Sequence, residues 1–399
     1  MAASGFVCRA GLRVALLAAT SARAVHLFSE IGSGDQGANV ATPAPDAVCP
    51  IRRGVEVPEV SELLPPEWAS VLEPVEVLSQ GAYSRVYKAK VHKQSGLPGL
   101  WSRHVALKVF IASFGTDNAA ELENMRHFIE HELDAISKFN GPPYATVYKA
   151  QSVTYRFMGT ERPGLLVAME LGDMTLRDVA TTPVSGKKAR RKRFHDRLAI
   201  FTKMLRGLSQ MHEQGYHHRD VKPENVILVC QDKKVLKTCE TKLIDLGYAC
   251  YFKAGSSCAQ WDCGTAEYKN PEGEADDVWA AAMVMRELLV GSLPEHIADR
   301  KPDLYSILHD YRLVPFREEN PEWYNLMEAM FAKMPQDRIS MPDASLRADE
   351  LFEKTFGAER PSRARSLPGE YLKAVEGIKS LDPDYMKYVA KSEASAAAA

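Results

Sequence analysis

The sequence predicts a two-lobed α+β fold, with a small antiparallel sheet and one main helix preceding a larger, mostly helical lobe. Two observations predict it. Alternating apolar segments occupy 75–110 and are followed by a helical pattern over 119–139, whereas 176–356 shows almost only helical spacing. With 399 residues, of which 45% are hydrophobic and 9% aromatic, the chain can build the core of such a domain.

Five strands are expected in the small lobe, over 75–78, 85–91, 104–110, 146–150 and 165–169. Gly81 interrupts the alternation between the first two strands, which is typical of a hairpin. Between the third and fourth strands, apolar residues recur every three or four positions and predict a helix. These are Leu122, Met125, Ile129, Leu133 and Ile136. The helical lobe should contain one short strand pair, at 226–229 and 242–244.

These patterns place one domain at 70–356, divided into a sheet lobe at 70–170 and a helical lobe at 171–356. Residues 28–69 are rich in Gly, Pro, Ala and Asp without periodicity, and we interpret them as a linker or pro-segment. Residues 357–399 form a C-terminal extension, and its alanine-rich end is expected to be disordered.

Residues 1–27 have the composition of a targeting segment. The first 29 residues contain no acid and carry Arg9, Arg13 and Arg23 around a short apolar run, with small residues after it. A secretory signal has this layout, and we expect secretion or the secretory pathway; import into a plastid or mitochondrion is the alternative. The net charge of -2 indicates no nucleic-acid partner. Since no apolar stretch approaches about 20 residues, we expect a soluble or peripherally attached protein.

The chain has seven cysteines. Loss of the leader would remove Cys8 and leave an even number, as suits an oxidising compartment. Cys230 and Cys239 flank the predicted strand pair of the helical lobe, so they either face each other across it or are buried thiols. A zinc site at Cys258 and Cys263 is not supported, because no second cysteine pair accompanies them at ligand spacing.

The strongest chemical signal is the segment HRDVKPEN at 218–225, followed by LIDLG at 243–247. Phosphoryl transfer needs one carboxylate at the attacking hydroxyl, and a further carboxylate and an amide that hold Mg²⁺ against the triphosphate. Asp220, Asp245 and Asn225 provide these three groups at suitable spacing. The sequence therefore predicts a phosphotransferase.

Six motifs in the expected order, spread over about 75–356, resemble the protein kinase superfamily. The resemblance implies the two-lobed protein kinase fold, ATP and Mg²⁺ as cofactors, and a protein substrate. Lys222, two residues after Asp220, matches the serine/threonine type. By the same resemblance Asp220 orients the acceptor hydroxyl and Lys222 neutralises the γ-phosphate, while Asn225 and Asp245 hold the metal.

The resemblance also implies the nucleotide site. Lys108 contacts the phosphates and pairs with Glu132, for which Glu130 is the less favoured alternative. The full set of residues expected to bind ATP is Leu78, Gly81, Val86, Ala106, Lys108, Met169, Glu170, Leu171 and Ile227. Within it Met169 matches the gatekeeper, and Glu170 and Leu171 match the hinge. His218 is expected to support the catalytic loop against Leu246.

The phosphate loop LSQGAYSRV at 78–86 departs from the family pattern, because only its middle glycine, Gly81, is retained. Ser79 and Ser84 narrow the conformations in which backbone amides approach phosphates closely. The alternative to an active enzyme is therefore a catalytically weak, kinase-like binding or allosteric module.

The segment GTAEYKNPE at 264–272 resembles the end of an activation segment, which includes Thr265. Arg338 is expected to pair with Glu272, as in the family. Arg219 adds a cation beside Asp220, and a phosphate on Ser256 or Ser257 would compensate it; both serines are equally compatible with an ordinary loop.

Two features bear on partners and on the type of kinase. The basic run KKARRKR, Lys187 to Arg193, is expected in an exposed insert between helices, where it forms a solvated face or contacts an anionic membrane or an acidic partner. A leader, an altered phosphate loop and no membrane span together resemble the secreted rhoptry-type kinases of apicomplexan parasites, a family of active enzymes and pseudokinases. An organelle-imported kinase is the rival interpretation.

Overall fold

The computed structural model describes residues 64–80, 84–92, 104–111, 119–157, 160–183, 186–252, 263–271, 273–274, 276–293 and 307–357. The leader, most of the linker and residues 358–399 lie outside these ranges. So do Gly81, Ser256, Ser257 and Glu272. The predictions made for all of these residues stay predictions.

The small lobe contains a five-stranded antiparallel sheet in the order β1-β2-β3-β5-β4, which confirms the predicted sheet. Its strands are β1 Leu72–Gln80, β2 Ser84–Val91, β3 His104–Ile111, β4 Val147–Phe157 and β5 Thr160–Met169, and its long helix is α2 Ala119–Lys138. Strands β4 and β5 are longer than predicted. Their outer ends pair with each other as far as Phe157 and Thr160, and this ladder has no strict apolar alternation that would mark it in the sequence.

A short helix, α1 Pro66–Ala69, precedes the sheet and closes one of its faces. Trp68 is fully buried there, among Leu72, Tyr87 and other apolar side chains of the sheet. The Trp68 indole nitrogen donates a hydrogen bond to Gln151 Oε1 at 2.6 Å, and the Lys149 ammonium lies 4.5 Å from the ring centre. Residues 64–69, assigned above to the linker, thus pack as part of the small lobe.

The large lobe is mainly helical, as predicted. Its elements are β6 Met174–Thr175, α3 Leu176–Thr181, α4 Lys187–Glu213, β7 Tyr216–His217, β8 Val226–Val229, β9 Glu240–Leu243, β10 Cys250–Tyr251, α5 Asp277–Val290, α6 Val314–Glu319, α7 Pro321–Met330 and α8 Met341–Phe356. Helix α5 is buried along nearly its whole length and lies at the centre of the lobe's core. Asp276 caps it by accepting from the amides of Val278 and Trp279, and Gly291, with φ of 90°, ends it.

The basic run is not an insert between helices, because α4 begins at Lys187 and contains the whole run. The apolar periodicity of α4 starts only near Phe194, so the sequence pattern does not mark the first residues of this helix. Arg191 and Lys192 are exposed. Contact of this run with an anionic membrane or an acidic partner stays a prediction. Among the described residues, no helix is both long and apolar enough to cross a membrane.

The predicted strand pair of the large lobe is present as β8 and β9, with Val226 opposite Leu243 and Val229 opposite Glu240. Cys230 and Cys239 follow at the next position of this ladder and form a disulfide. The prediction that these two cysteines face each other is therefore confirmed. Cys250, in β10, is also disulfide-bonded.

Candidate active site

The ion pair predicted between Lys108 and Glu132 is present at the interface of sheet and helix. The Lys108 ammonium donates to Glu132 Oε1 at 2.6 Å and to Asp245 Oδ1 at 2.8 Å. Alternation along β3 turns Lys108, with Ala106 and Phe110, toward helix α2. Glu130, the less favoured alternative, instead contacts His127 on the helix surface at 3.3 Å.

Lys108 and its acidic partners Glu132 and Asp245 form a largely buried cluster of opposite charges. Burial alone would lower the pKa of Lys108, but Asp245 and Glu132 outweigh it and raise this pKa above its ordinary value. Burial would likewise raise the pKa of Asp245, yet the charge and hydrogen bond of Lys108 lower it. Both groups are therefore ionised near neutral pH, as contacts to phosphate and metal require.

The residues expected around the adenine converge on one apolar surface. Ala106 and Met169 are buried opposite each other on β3 and β5, and Val86 and Leu171 pack against the same cluster. Ile227 reaches this region from the large lobe. It lies so close to Gly172 of the hinge that a Cβ atom there would come within 2.7 Å of the Ile227 Cβ.

Leu78 lies near the end of β1 and is 45% exposed. Glu170, also expected in the nucleotide site, directs its side chain elsewhere. Its carboxylate accepts a hydrogen bond from the Lys242 ammonium at 2.7 Å and one from the Thr146 amide at 3.2 Å. Lys242 is 3% exposed and belongs to β9, just before Asp245. The hinge and this strand are thus joined by an ion pair that the sequence analysis missed.

Three predicted residues surround the Asp220 carboxylate: Lys222 and Asn225 from the catalytic loop, and Thr265 from the activation segment. Asp220 Oδ2 accepts from the Lys222 ammonium at 2.7 Å and from the Asn225 amide at 2.9 Å. Thr265 donates its hydroxyl to Asp220 Oδ1 at 2.6 Å and accepts from Lys222 at 2.8 Å. Asp220 is 4% exposed, so these contacts hold its carboxylate in one orientation.

Asn225 and Asp245 adjoin each other at one end of the β8–β9 hairpin, because the Ile244 amide donates to the Asn225 carbonyl at 3.0 Å. Asp245 adopts a left-handed conformation with φ of 62°, and 37% of its side chain is exposed. Asn225 uses its amide nitrogen on Asp220, which leaves its side-chain oxygen as a ligand atom. One carboxylate and one amide oxygen are hard ligands that fit Mg²⁺.

Asp277 anchors the catalytic loop, a role that the sequence analysis missed. Its carboxylate accepts from the backbone amides of His218 and Arg219, both at 2.7 Å, and contacts His212 Nε2 at 2.9 Å. Burial would raise the pKa of Asp277, but the hydrogen bond with His212 and electrostatic interactions with His212, His217 and His218 keep it well below its ordinary range. His218 is fully buried and donates from Nε2 to the Ile244 carbonyl at 3.1 Å. This hydrogen bond links the catalytic loop to the segment that carries Asp245.

The predicted pairing of Arg338 with Glu272 stays a prediction, because Glu272 lies outside the described residues. Its guanidinium contacts the Asp276 carboxylate and lies 5.3 Å from the Trp279 ring centre. Arg338 therefore forms an ion pair with Asp276, the N-cap residue of α5.

The comparisons with known proteins agree with this geometry. The model of the protein kinase domain matches residues 72–352, more than half of the chain. The chain belongs to the protein kinase family. A kinase domain of this kind uses ATP and a divalent metal ion and acts on protein substrates.

Similar kinases share only low identity with this one. The phosphorylase b kinase gamma catalytic chain, liver/testis isoform, of Mus musculus is 25% identical over 317 residues, which cover 73% of this chain and 69% of the mouse protein. CBL-interacting serine/threonine-protein kinase 8 of Arabidopsis thaliana is 27% identical over 169 residues, or 39% of this chain and 35% of that protein. Inactive serine/threonine-protein kinase PLK5 of Mus musculus is 29% identical over 174 residues, which cover 41% of this chain and 28% of PLK5.

The two serines of the phosphate loop give a testable prediction. Ser79 pairs with Val86 in the β1–β2 ladder, and Ser84 begins β2. Replacing both by glycine should lower KM for ATP, because the loop could then approach phosphates more closely. The thermal midpoint without nucleotide should fall, since each glycine costs up to about 1 kcal/mol of unfolded-state entropy. Steady-state kinetics and thermal melts measure both effects.

A matched control is Ser152→Gly, which makes the same change at an exposed position of β4. It should lower the midpoint and leave KM for ATP unchanged. If the double glycine variant shows an unchanged or higher KM, the serines belong to a fully working loop.

Proposed function

We propose that this chain is an active serine/threonine protein kinase that transfers the γ-phosphate of Mg·ATP to protein hydroxyls. One observation carries the proposal. The contacts of Lys108 with Glu132 and Asp245, and those of Asp220 with Lys222, form the charged arrangement that phosphoryl transfer requires. A module that only binds a partner has no need to keep each of these charges.

Each residue has a role that its contacts support. Asp220, held by Lys222 and Thr265, orients the acceptor hydroxyl and accepts its proton. Lys108 binds the phosphates from the small lobe. Asn225 and Asp245 hold Mg²⁺, which neutralises charge on the phosphates when bound.

The test uses the full-length chain with radiolabelled ATP and a degenerate peptide array that offers serine, threonine or tyrosine as the only acceptor. We expect labelled serine and threonine peptides and no labelled tyrosine peptides. Nucleotide binding without any transfer would contradict the proposal and favour the second candidate, a kinase-like binding or allosteric module. That candidate draws support from Ser79, which stands at the first glycine position of the phosphate loop.

We further propose that the protein is made in the secretory pathway, as are the secreted rhoptry-type kinases that it resembles. The Cys230–Cys239 disulfide and the disulfide-bonded Cys250 support this, because disulfides persist in oxidising compartments. The proposal predicts mature protein that starts near Ala24 in secreted material and contains an oxidised Cys230–Cys239 peptide. Recovery from plastids or mitochondria with reduced cysteines would contradict it.

The Cys230–Cys239 disulfide should also stabilise the β8–β9 hairpin. The two cysteines are nine positions apart, so replacing both by serine should lower the free energy of unfolding by about 2–3 kcal/mol. Urea denaturation without reductant measures this change. Thr238→Ser, at an exposed neighbouring position, is the control and should have little effect. Equal stability of the double variant and the wild type would show that the disulfide does not contribute.

A further inference from the structure

Two segments that are remote in sequence meet on one surface of the large lobe. The start of α4, residues 187–193, carries six cations and no acid. The turn between β8 and β9, residues 231–238, carries three lysines and one acid, Asp232. The Lys192 ammonium donates to the carbonyl oxygen of Lys234 at 2.9 Å, so the two segments lie against each other. Together they are called the basic face below.

The β8–β9 turn is fixed to the body of the lobe. The Cys230–Cys239 disulfide closes the turn, and Leu236 is buried in the core of the lobe. From α4, the Lys203 ammonium donates to the carbonyl oxygen of Lys237. The lysines of the turn are therefore held beside the start of α4, and the two segments present their charges together.

Most of this positive charge is not neutralised by the protein. Lys233 pairs with Asp173 at 3.0 Å, yet 62% of its side chain stays exposed. Other exposed cations of the basic face have no carboxylate partner in the described part of the chain. These are Arg191, Lys192, Lys234 and Lys237. The basic face thus concentrates positive charge on a chain whose net charge is -2.

The composition of the basic face indicates the kind of partner. A specific protein partner needs apolar or aromatic anchors that become buried at the centre of the interface. Among the described residues, the large apolar side chains that are exposed all lie outside 187–193 and 231–238. Adsorption to an anionic bilayer instead needs several cations near the lipid headgroups, which lysine and arginine reach with long side chains. The basic face fits the bilayer.

We propose that the basic face binds the surface of an anionic phospholipid membrane. In the β8–β9 hairpin, Val229 and Glu240 pair at the end next to the disulfide, whereas Val226 and Leu243 pair at the end next to Asn225 and Asp245. The catalytic loop and the basic face therefore lie at opposite ends of this hairpin. Membrane binding leaves the active site accessible to a substrate.

Sedimentation of the full-length chain with sucrose-loaded vesicles tests this binding. The vesicles contain phosphatidylcholine alone, or phosphatidylcholine with about one-third phosphatidylserine. The wild type should sediment with the anionic vesicles at low ionic strength, should be released by added salt, and should stay in solution with neutral vesicles. No binding to the anionic vesicles, or equal binding to both kinds, would overturn the proposal.

Two double variants probe the two segments separately. Arg191→Gln with Lys192→Gln removes two cations of α4, and Lys234→Gln with Lys237→Gln removes two of the turn. Each pair should weaken partition onto anionic vesicles about 20- to 30-fold, because one cation near such a surface contributes about fivefold. An unchanged partition of either pair would show that the two segments do not form one binding surface.

Matched variants control for net charge and for folding. Arg126→Gln with Lys333→Gln removes two exposed cations elsewhere, one on α2 and one after α7, and should partition as the wild type. Arg191→Lys with Lys192→Arg keeps both charges and should also partition as the wild type. An equally large loss in the first control would assign binding to total charge, and a loss in the second would contradict an electrostatic surface.

Two further measurements distinguish the partner and separate this inference from the proposed function. Binding of the wild type to heparin or to polyglutamate, without binding to anionic vesicles, would identify another polyanion and contradict the membrane. Peptide phosphorylation in solution should be equal in the wild type and in both double variants, because the substituted residues lie away from the catalytic loop. If none of them labels any peptide, the kinase proposal fails while sedimentation still tests the basic face.

Discussion

Replacing Asp220 by alanine should lower kcat for peptide phosphorylation about 10²–10⁴-fold and leave the affinity for Mg·ATP nearly unchanged. Asp220 contacts Lys222, Asn225 and Thr265. The proposed mechanism uses its carboxylate on the acceptor hydroxyl, and the nucleotide is held by other residues. Steady-state kinetics and nucleotide titration of the same preparation measure the two quantities.

Alanine at this position also leaves three hydrogen-bond partners of a buried carboxylate unsatisfied. Asp220→Asn is therefore the second variant, because it keeps the shape and part of the hydrogen bonding while removing the base. It should be as inactive as the alanine variant with a thermal midpoint closer to that of the wild type. Asp232→Ala, in an exposed turn, is the control and should retain full activity. Activity of both Asp220 variants at the wild-type level would disprove the enzymatic proposal.

Replacing Asp245 by asparagine should abolish the metal dependence of nucleotide binding. The change removes the carboxylate that would bind Mg²⁺ and that also accepts from Lys108 at 2.8 Å. Because loss of an outer-sphere partner already costs about 10–100-fold in metal affinity, loss of this ligand should cost at least as much. Isothermal titration of ATP, with Mg²⁺ and with EDTA, measures the difference.

The substitution should affect ATP affinity differently in Mg²⁺ and in EDTA. In the wild type, ATP should bind much more tightly with Mg²⁺ than with EDTA. In Asp245→Asn the two affinities should be similar, and binding in EDTA should not fall, because a negative charge near the phosphates is lost. Glu130→Gln, which neutralises a glutamate on the outer side of α2, should behave as the wild type. A wild-type response to Mg²⁺ in Asp245→Asn would remove Asp245 from the metal site.

Much of the candidate site was predictable because its residues belong to short segments of regular structure. Alternation along β3 turns Lys108 to the same side as Ala106, and helical spacing in α2 turns Glu132 toward the sheet. The compact segment around Asp220 brings Lys222 and Asn225 to one carboxylate by chain connectivity alone. Such contacts depend mainly on local geometry.

Other parts could not be predicted from local pattern. Trp68 lies in a stretch with linker-like composition, yet it is fully buried against the sheet because the chain entering β1 crosses one sheet face. The basic run Lys187 to Arg193 was expected between helices but belongs to α4, because its like charges show no apolar periodicity that would mark the helix. A residue's burial is decided by the elements that pack over it, and these are remote in sequence.

The sequence by itself determined the fold class, most strands and helices, and the identity of the charged residues that make phosphoryl transfer chemically feasible. Only the tertiary structure decided which distant residues hold those groups in place. Asp277 bonds to amides 58 and 59 residues before it, and Arg177 bonds to Tyr268 at a separation of 91 residues. The sequence names each charged side chain, but which residue pairs with it depends on how the packed helices and loops approach each other. For that reason composition and spacing reveal the reacting groups, whereas the supports around them emerge only from the folded chain.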